Sequence, residues 1–148
     1  MKNISIIILF FVFAFIQGCD ENSVDTTNIK FKTLKAHITG IKFSNDLKYL
    51  TKLNIIEYLY YYNGGGVAVG DINNDGLEDI YFSGNQVPDR LYLNMGNMKF
   101  QDISLPSGIK LDQSWSNGVS FEDVNNDGYL DIYVCKVSPL SNIKVHNL

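Results

Sequence analysis

A repeated pattern is the feature that most constrains how this chain can fold. Residues 71–81 recur as residues 123–133, an offset of 52 positions. When residues 66–84 are aligned with residues 118–136, 10 of 19 positions are identical. A fixed period of this kind is the signature of proteins assembled from one repeated supersecondary unit. The chain is therefore predicted to contain two related units.

Short β-branched and aromatic runs flank both copies of the repeat. Residues 67–69 and 80–82 enclose the first copy, and residues 119–121 and 132–134 enclose the second. A hairpin pattern with a glycine in its turn follows over residues 91–103. Four strands in a repeat of roughly 40–50 residues are typical of a propeller blade. We predict an all-β fold, a partial β-propeller of about one and a half to two four-stranded blades.

The loop inside each copy is rich in oxygen donors. Side-chain oxygens occupy positions 1, 3, 5 and 9, glycine occupies position 6, and position 7 offers its backbone carbonyl. Oxygen donors without His or Cys select Ca²⁺ over zinc or copper, and the glycine permits a positive φ. The predicted ligands of two structural Ca²⁺ ions are Asp71, Asn73, Asp75, Leu77 and Asp79, and Asp123, Asn125, Asp127, Tyr129 and Asp131.

Two other interpretations of the loops follow from their residue types. An EF-hand is excluded, because Phe82 and Val134 stand where its bidentate Glu belongs and no amphipathic helices flank the loops. Acidic turns without metal remain an alternative, because Asp, Asn and Gly also form turns. Three aspartates in one nine-residue loop nevertheless repel one another, and a turn alone does not need them.

The N-terminus has the pattern of a bacterial lipoprotein signal. After Lys2, residues 4–16 are apolar except for Ser5, which suits a secretory signal and is too short to span a membrane. Residues 16–19 resemble a lipobox, in which Cys19 carries the lipid. We expect Cys19 to anchor the protein to a membrane of the cell envelope, at the outer membrane or cell surface. The alternative is an ordinary signal peptide with an incidental cysteine.

The predicted domain organisation follows from these features. Residues 47–56 are ambiguous between a short helix and a strand. A four-bladed ring with this period needs roughly 208 residues, so the chain is expected to be an N-terminal fragment with an open edge. The segments are a signal peptide (1–18), a polar tether (19–30), lead-in strands (31–62), the first repeat (63–114) and a truncated second repeat (115–148).

Residues outside the loops show no catalytic pattern. Cys135 ends an apolar run and is predicted to be a packed, inert thiol. The tyrosines of residues 58–62 and Trp115 are expected to pack between blades rather than to stack on sugars. His37 and His146 have no partner at ligand or triad spacing.

The pattern Gly-Val-x-x-x-Asp-x-Asn-x-Asp-Gly-x-x-Asp-Ile-Tyr resembles the FG-GAP/VCBS repeat, which builds β-propellers of the integrin α N-terminal type. Over about residues 31–136 the chain is similar to bacterial surface lipoproteins of the VCBS, cartilage-acidic-protein-like group. The resemblance implies Ca²⁺ at positions 1, 3, 5 and 9 of both loops. It also implies a longer protein with more repeats.

Charge and pattern together predict a binding protein rather than an enzyme. The 12 Lys and Arg residues are outnumbered by 16 Asp and Glu, which argues against nucleic-acid binding. We expect a calcium-binding module of a lipid-anchored protein that binds an extracellular protein or glycan. The alternatives are the N-terminal part of a polysaccharide-processing propeller enzyme with its active site in further blades, or a truncated fragment without function.

Overall fold

The computed structural model describes residues 31–112 and 114–137. The described residues from Leu34 to Val137 belong to one compact unit. Within the described ranges, no helix is both long enough and apolar enough to cross a bilayer. The features that lie outside the described residues are the signal peptide (1–18), the tether (19–30), Cys19, His146 and the end of the second repeat (138–148).

The first sheet is a four-stranded antiparallel meander in which neighbouring strands follow one another in the chain. Ala68 pairs with Tyr81, and Tyr81 pairs with Leu91. The hairpin glycine, Gly96, has a φ of 77°, as its turn requires. The strands are β1 (Val67–Gly70), β2 (Asp79–Phe82), β3 (Arg90–Asn94) and β4 (Phe100–Asp102).

The second sheet contains the two strands of the second copy. Strands β5 (Trp115–Glu122) and β6 (Asp131–Val137) pair antiparallel, with an irregularity between Ser116 and Gly118. Every run that flanks a loop in the sequence forms a strand at the predicted place. The described residues thus form a nearly all-β fold of two sheets, which confirms the predicted class and is consistent with a partial β-propeller.

The two sheets pack against each other face to face. Ala68, Tyr81 and Leu91 are buried on one face of the first sheet, as expected because alternate residues of a strand face the same side. The opposite face of β1 is open, since the side chains of Val67 and Val69 are 56% and 57% exposed. The residues of the second sheet that cover the buried face are Val119, Phe121, Ile132 and Val134.

The segment before the first sheet does not form the predicted strands. Residues 31–62 contain a four-residue helix, α1 (Ala36–Thr39), an isolated bridge between Leu50 and Leu53, and turns. The prediction of lead-in strands is therefore wrong. Asn54 is part of the reason, because its side chain bonds the backbone of its own turn, including the carbonyl of Leu50 and the amide of Ile56. Such local bonds compete with strand pairing.

This segment packs onto the outer face of the first sheet through aromatic rings. Phe43 stacks on Phe82 of β2, with ring centroids 5.0 Å apart. The backbone amide of Lys42 donates to the hydroxyl of Tyr92 at 3.2 Å. Residues 31–62, the lead-in segment, therefore cover the outer face of the first sheet at β2 and β3, whereas the same face of β1 stays open.

A second aromatic cluster joins the lead-in to the start of β5. Tyr61 and Trp115 are 1% and 3% exposed, and their ring centroids lie 5.7 Å apart. Trp115 is thus buried as predicted, whereas Tyr60 and Tyr62 are exposed. Among the described residues, the Tyr61 hydroxyl and the Trp115 Nε1 are buried without a hydrogen-bond partner.

Cys135 is exposed on β6, so the prediction of a packed thiol is wrong. Ile132 and Val134 pack toward the first sheet, and the strand period of two then directs Tyr133 and Cys135 away from it. Tyr133 is accordingly 66% exposed.

Candidate functional site

The two oxygen-rich loops occupy equivalent places in the two sheets. The first loop (residues 71–79) joins β1 to β2, and the second loop (residues 123–131) joins β5 to β6. Each loop closes in the same register, because Asp79 pairs with Gly70 and Asp131 pairs with Glu122. The aspartate at position 9 is therefore the first residue of each returning strand.

The side chains at positions 1, 3 and 5 of the first loop organise its backbone. Asp71 accepts the amide of Asp75 on Oδ1 at 3.0 Å and the amide of Gly76 on Oδ2 at 2.8 Å. Asp75 in turn accepts the amide of Leu77 on Oδ1 at 2.8 Å. The side-chain amide of Asn73 donates to the other oxygen of Asp75 at 2.9 Å. The loop is a series of side-chain-stabilised turns.

The second loop repeats this hydrogen-bond pattern. Asp123 accepts the amides of Asp127 and Gly128 at 3.0 and 2.9 Å. Asp127 accepts the amide of Tyr129 at 2.9 Å and the side-chain amide of Asn125 at 3.0 Å. Because the two loops have different neighbours but the same bonds, the shared residues determine the conformation.

Two left-handed residues let each loop reverse direction. Gly76 and Gly128, at position 6, have φ of 83° and 89°, as the sequence pattern predicts. A β-carbon at either glycine would meet nothing within 4 Å, so glycine serves backbone conformation and not close packing. Asn74 and Asn126, at position 4, are also left-handed, with φ of 59° and 60°. Sequence reasoning missed these asparagines, although Asn tolerates this region better than most residues.

The aspartates at position 9 share one bond but differ in burial. Asp79 accepts the amide of Ile72 at 3.1 Å, and Asp131 accepts the amide of Val124 at the same distance. Asp79 is fully buried, and its other oxygen accepts the amide of Asn94 from β3 at 2.7 Å. Asp131 is only partly buried. In the first sheet, β3 therefore supplies the second backbone hydrogen-bond donor to Asp79, the last carboxylate of the loop.

The donor set of the loops fits a hard cation by its chemistry. All the predicted donors are oxygens, and the side chains of Asn73 and Asp75 are exposed to solvent. In the part of the chain that the structure describes, however, no three His, Cys, Asp or Glu side chains converge as a metal site requires. Each carboxylate oxygen that accepts an amide keeps a second lone pair. Binding an ion would require the side chains at positions 1, 3 and 5 to turn toward one point.

Residues 71–134 match a family model described as an FG-GAP-like repeat. This segment is an FG-GAP-like repeat. The match contains both loops and the strands that connect them, so the predicted FG-GAP repeat is confirmed.

Curated relatives of the FG-GAP-like repeat segment are long proteins. Over 72 residues the chain is 36% identical to Cartilage acidic protein 1 of Xenopus tropicalis, which covers 49% of this chain. Over 79 residues it is 37% identical to Cartilage acidic protein 1 of Homo sapiens, which covers 48% of this chain. The chain spans 11% of the length of each relative. No solved structure matches the chain significantly.

A buried carboxylate inside the FG-GAP-like repeat was not predicted. Asp89 is 3% exposed and accepts three hydrogen bonds. The Tyr81 hydroxyl and the Ser116 hydroxyl donate to Oδ2 at 2.9 and 3.0 Å, and the Gly84 amide donates to Oδ1 at 2.7 Å. Burial, followed by the nearby charge of Asp89, raises the pKa of Tyr81 well above its usual range. Asp89 lies outside the aligned parts of the two copies, so the repeat gave no signal for it.

A buried asparagine extends this polar junction to the lead-in segment. Asn85 is 1% exposed and donates its side-chain amide to the Ser116 carbonyl at 3.2 Å. Asn45 donates to the side-chain oxygen of Asn85 at 2.7 Å and accepts its backbone amide at 2.9 Å. Polar bonds thus hold the lead-in and both sheets together beside the apolar core.

Proposed function

We propose that this chain is a non-catalytic, calcium-binding repeat module of a lipid-anchored cell-envelope protein that binds an extracellular protein or glycan. The observation that carries the proposal is the identical turn of the two loops, with oxygen-only donors at positions 1, 3, 5 and 9. The FG-GAP-like repeat supports the assignment as a repeat module.

The distribution of charge favours a bound cation. Each loop holds three motif aspartates, whose negative charges repel one another at close range. The ion pairs found among the described residues, Arg90 with Asp102 and Lys136 with Asp112, both lie outside the loops. A divalent cation would offset the charge that the side chains leave unbalanced, and it would hold the strand–loop–strand units rigid.

The proposed anchoring rests on the lipobox-like residues 16–19, and the proposed binding role rests on the exposed position of the loops. A lipid on Cys19, followed by the polar residues 20–28, would hold the sheets away from a membrane. Incorporation of radiolabelled palmitate into the wild type but not into Cys19→Ser would support the anchor. Equal labelling of both proteins would contradict it.

Thermal unfolding with and without chelator tests the calcium proposal. A ligand at 100 times its dissociation constant stabilises a protein by about 2.7 kcal/mol per site, so calcium should raise the melting temperature by several degrees. Magnesium at the same ionic strength is the control, because it prefers strict octahedral geometry and keeps its waters. A melting temperature that is the same in calcium and in chelator would refute the proposal.

A further inference from the structure

Counterparts in the two sheets, 52 positions apart, differ in whether they are covered. Tyr81 is 2% exposed on the buried face of the first sheet, whereas its counterpart Tyr133 in the second sheet is 66% exposed. Ala68 is likewise buried, and its counterpart Ser120 is exposed. Ser120 pairs with Tyr133, so the two side chains lie on one face. We name this the open face of the second sheet, and its residues are Gly118, Ser120, Tyr133 and Cys135.

The chain itself contains the kind of surface that covers such a face. The second sheet covers the buried face of the first, and Phe121 packs edge-to-face with Tyr81 at a centroid distance of 6.5 Å. Phe121 is the counterpart of Val69, and Val119 is the counterpart of Val67. Val67 and Val69 are exposed on the outer face of β1. The chain therefore repeats both halves of the interface between its own sheets, and both repeated halves are open.

A glycine on the open face marks the same unfilled contact. Gly66 lies where the two sheets approach closely, since a β-carbon there would meet the backbone of Asn117 and Val119 at 3.0 Å. The counterpart of Gly66 is Gly118, where a β-carbon would meet only the side chain of Cys135, at ordinary distances of 3.7 and 3.8 Å. Gly118 therefore leaves room for the close approach of another backbone, which no described residue of the same chain supplies.

We propose that the open face of the second sheet binds the outer face of β1 of a second copy of this chain. Tyr133 of one copy then packs against Val69 of the next, as Tyr81 packs against Phe121 within the chain. Because the two faces are different surfaces, the association is head-to-tail and can continue from copy to copy. The lead-in segment covers β2 and β3 on the outer face, so the contact is centred on β1. The association requires no bound ion.

The repeat also predicts one unfavourable contact in this association. Within the chain, a β-carbon at Gly70 would meet the side chain of Leu130 at 2.8 Å. Glu122 is the counterpart of Gly70, and it is exposed. Glu78, also exposed, is the counterpart of Leu130. Packing in the same register brings Glu122 of one copy close to Glu78 of the next, and the two negative charges repel each other. Glu122→Gly is therefore expected to strengthen the association.

Sedimentation velocity at increasing protein concentration, in buffer with a chelator and a reducing agent, tests the association. Tyr133→Asp places a charge on the open face and is expected to weaken association about tenfold or more. Val69→Asp should have the same effect from the other side of the contact. Tyr129→Asp is the matched control, because Tyr129 is also an exposed tyrosine of the second repeat but lies in the loop. Glu122→Gly should strengthen association about twofold to fivefold.

Cross-linking tests the direction of the contact. In a background of Cys19→Ser and Cys135→Ser, one protein carries Tyr133→Cys and another carries Val69→Cys. A short bismaleimide then joins cysteines that lie close together. We expect a cross-linked product from the mixture of the two proteins and none from either protein alone. A product from the Tyr133→Cys protein alone would show that two open faces meet each other, which would overturn the head-to-tail arrangement.

The sedimentation results decide whether a second copy is the occupant of the open face. A wild type and a Glu122→Gly protein that both stay monomeric at the highest soluble concentration would overturn the proposal. Association that Tyr133→Asp weakens no more than Tyr129→Asp does would also overturn it. Weakening by Tyr133→Asp and Val69→Asp together with strengthening by Glu122→Gly would support it. Because the chelator is present throughout, none of these outcomes depends on the calcium proposal.

Discussion

The hydroxyl of Tyr81 lies 2.9 Å from Oδ2 of Asp89, and both side chains are buried where the two sheets meet. The donors that surround Asp89 are all neutral: two hydroxyls and one backbone amide. Hydrogen bonds to a charged group contribute about 1.5–3 kcal/mol each, so this carboxylate depends on each donor.

Removing the Tyr81 hydroxyl should be costly, whereas removing that of Tyr61 should not. Tyr81→Phe takes a donor from buried Asp89 and is expected to lower the free energy of unfolding by about 2 kcal/mol. Tyr61 is equally buried, but its hydroxyl has no partner among the described residues, so Tyr61→Phe should be neutral or stabilising. Urea denaturation measures both. Equal losses in the two variants would contradict the assigned bonding.

Stability should fall in alkaline solution because of the same tyrosine. Burial and Asp89 raise the pKa of Tyr81 above the value of 10.0 that tyrosine has in an unfolded chain. The free energy of unfolding that Tyr81 contributes through its raised pKa is therefore fully present below pH 10. It declines as the pH rises beyond 10, by up to about 1.4 kcal/mol per pH unit. Urea denaturation between pH 9 and 11 measures the slope. Tyr81→Phe should show a shallower slope than the wild type, and an unchanged slope would count against this assignment.

Each loop should lose its ion when its central aspartate is removed. Asp75→Ala and Asp127→Ala delete the carboxylate at position 5, and each is expected to reduce bound calcium from two ions to one. Equilibrium dialysis followed by elemental analysis counts the ions. Asp46→Ala is the control, because it removes an exposed carboxylate outside the loops. A variant that still binds two ions would exclude its loop as a site.

Two adjacent glycines should respond very differently to a methyl group. A β-carbon at Gly65 would overlap the backbone carbonyl of Ser83, so Gly65→Ala should destabilise the fold by about 3 kcal/mol or more. Gly64 has open space around it but a φ of 80°, so Gly64→Ala should cost only about 1 kcal/mol. Denaturation midpoints compare the two. The reverse order would contradict the close approach of the Gly65 backbone to the carbonyl of Ser83.

Cys135 should react with a thiol reagent in the folded protein. Its side chain is exposed, so modification by a disulfide reagent should proceed without prior unfolding. In a Cys19→Ser protein, where Cys135 is the only thiol, labelling rates in buffer and in urea should be similar. A large acceleration in urea would indicate that the thiol is buried.

The repeat made the strands and loops predictable, because the same residues appear twice with apolar runs at the same distances. The sequence could not show which side chains of β6 face the core. A half-buried strand alternates apolar and polar residues, but here the four successive residues are all apolar or aromatic: Ile132, Tyr133, Val134 and Cys135. The lead-in has no period, and side chains such as Asn54 hold it by local bonds. Asp89 was missed because its partners come from distant positions, such as Ser116, 27 residues further along the chain.

The position of Ser116 has a consequence for how such chains can be recombined. Ser116 belongs to β5, yet it is fully buried and completes the donors of a carboxylate in the first blade. If the first sheet were produced alone, Asp89 would have one hydrogen-bond donor fewer. If the second sheet were replaced by one from another protein, the replacement would need a hydroxyl at the position of Ser116. An exchange that keeps every donor to Asp89 therefore cuts the chain after Ser116, the second residue of β5, inside the second repeat and not at the boundary between repeats.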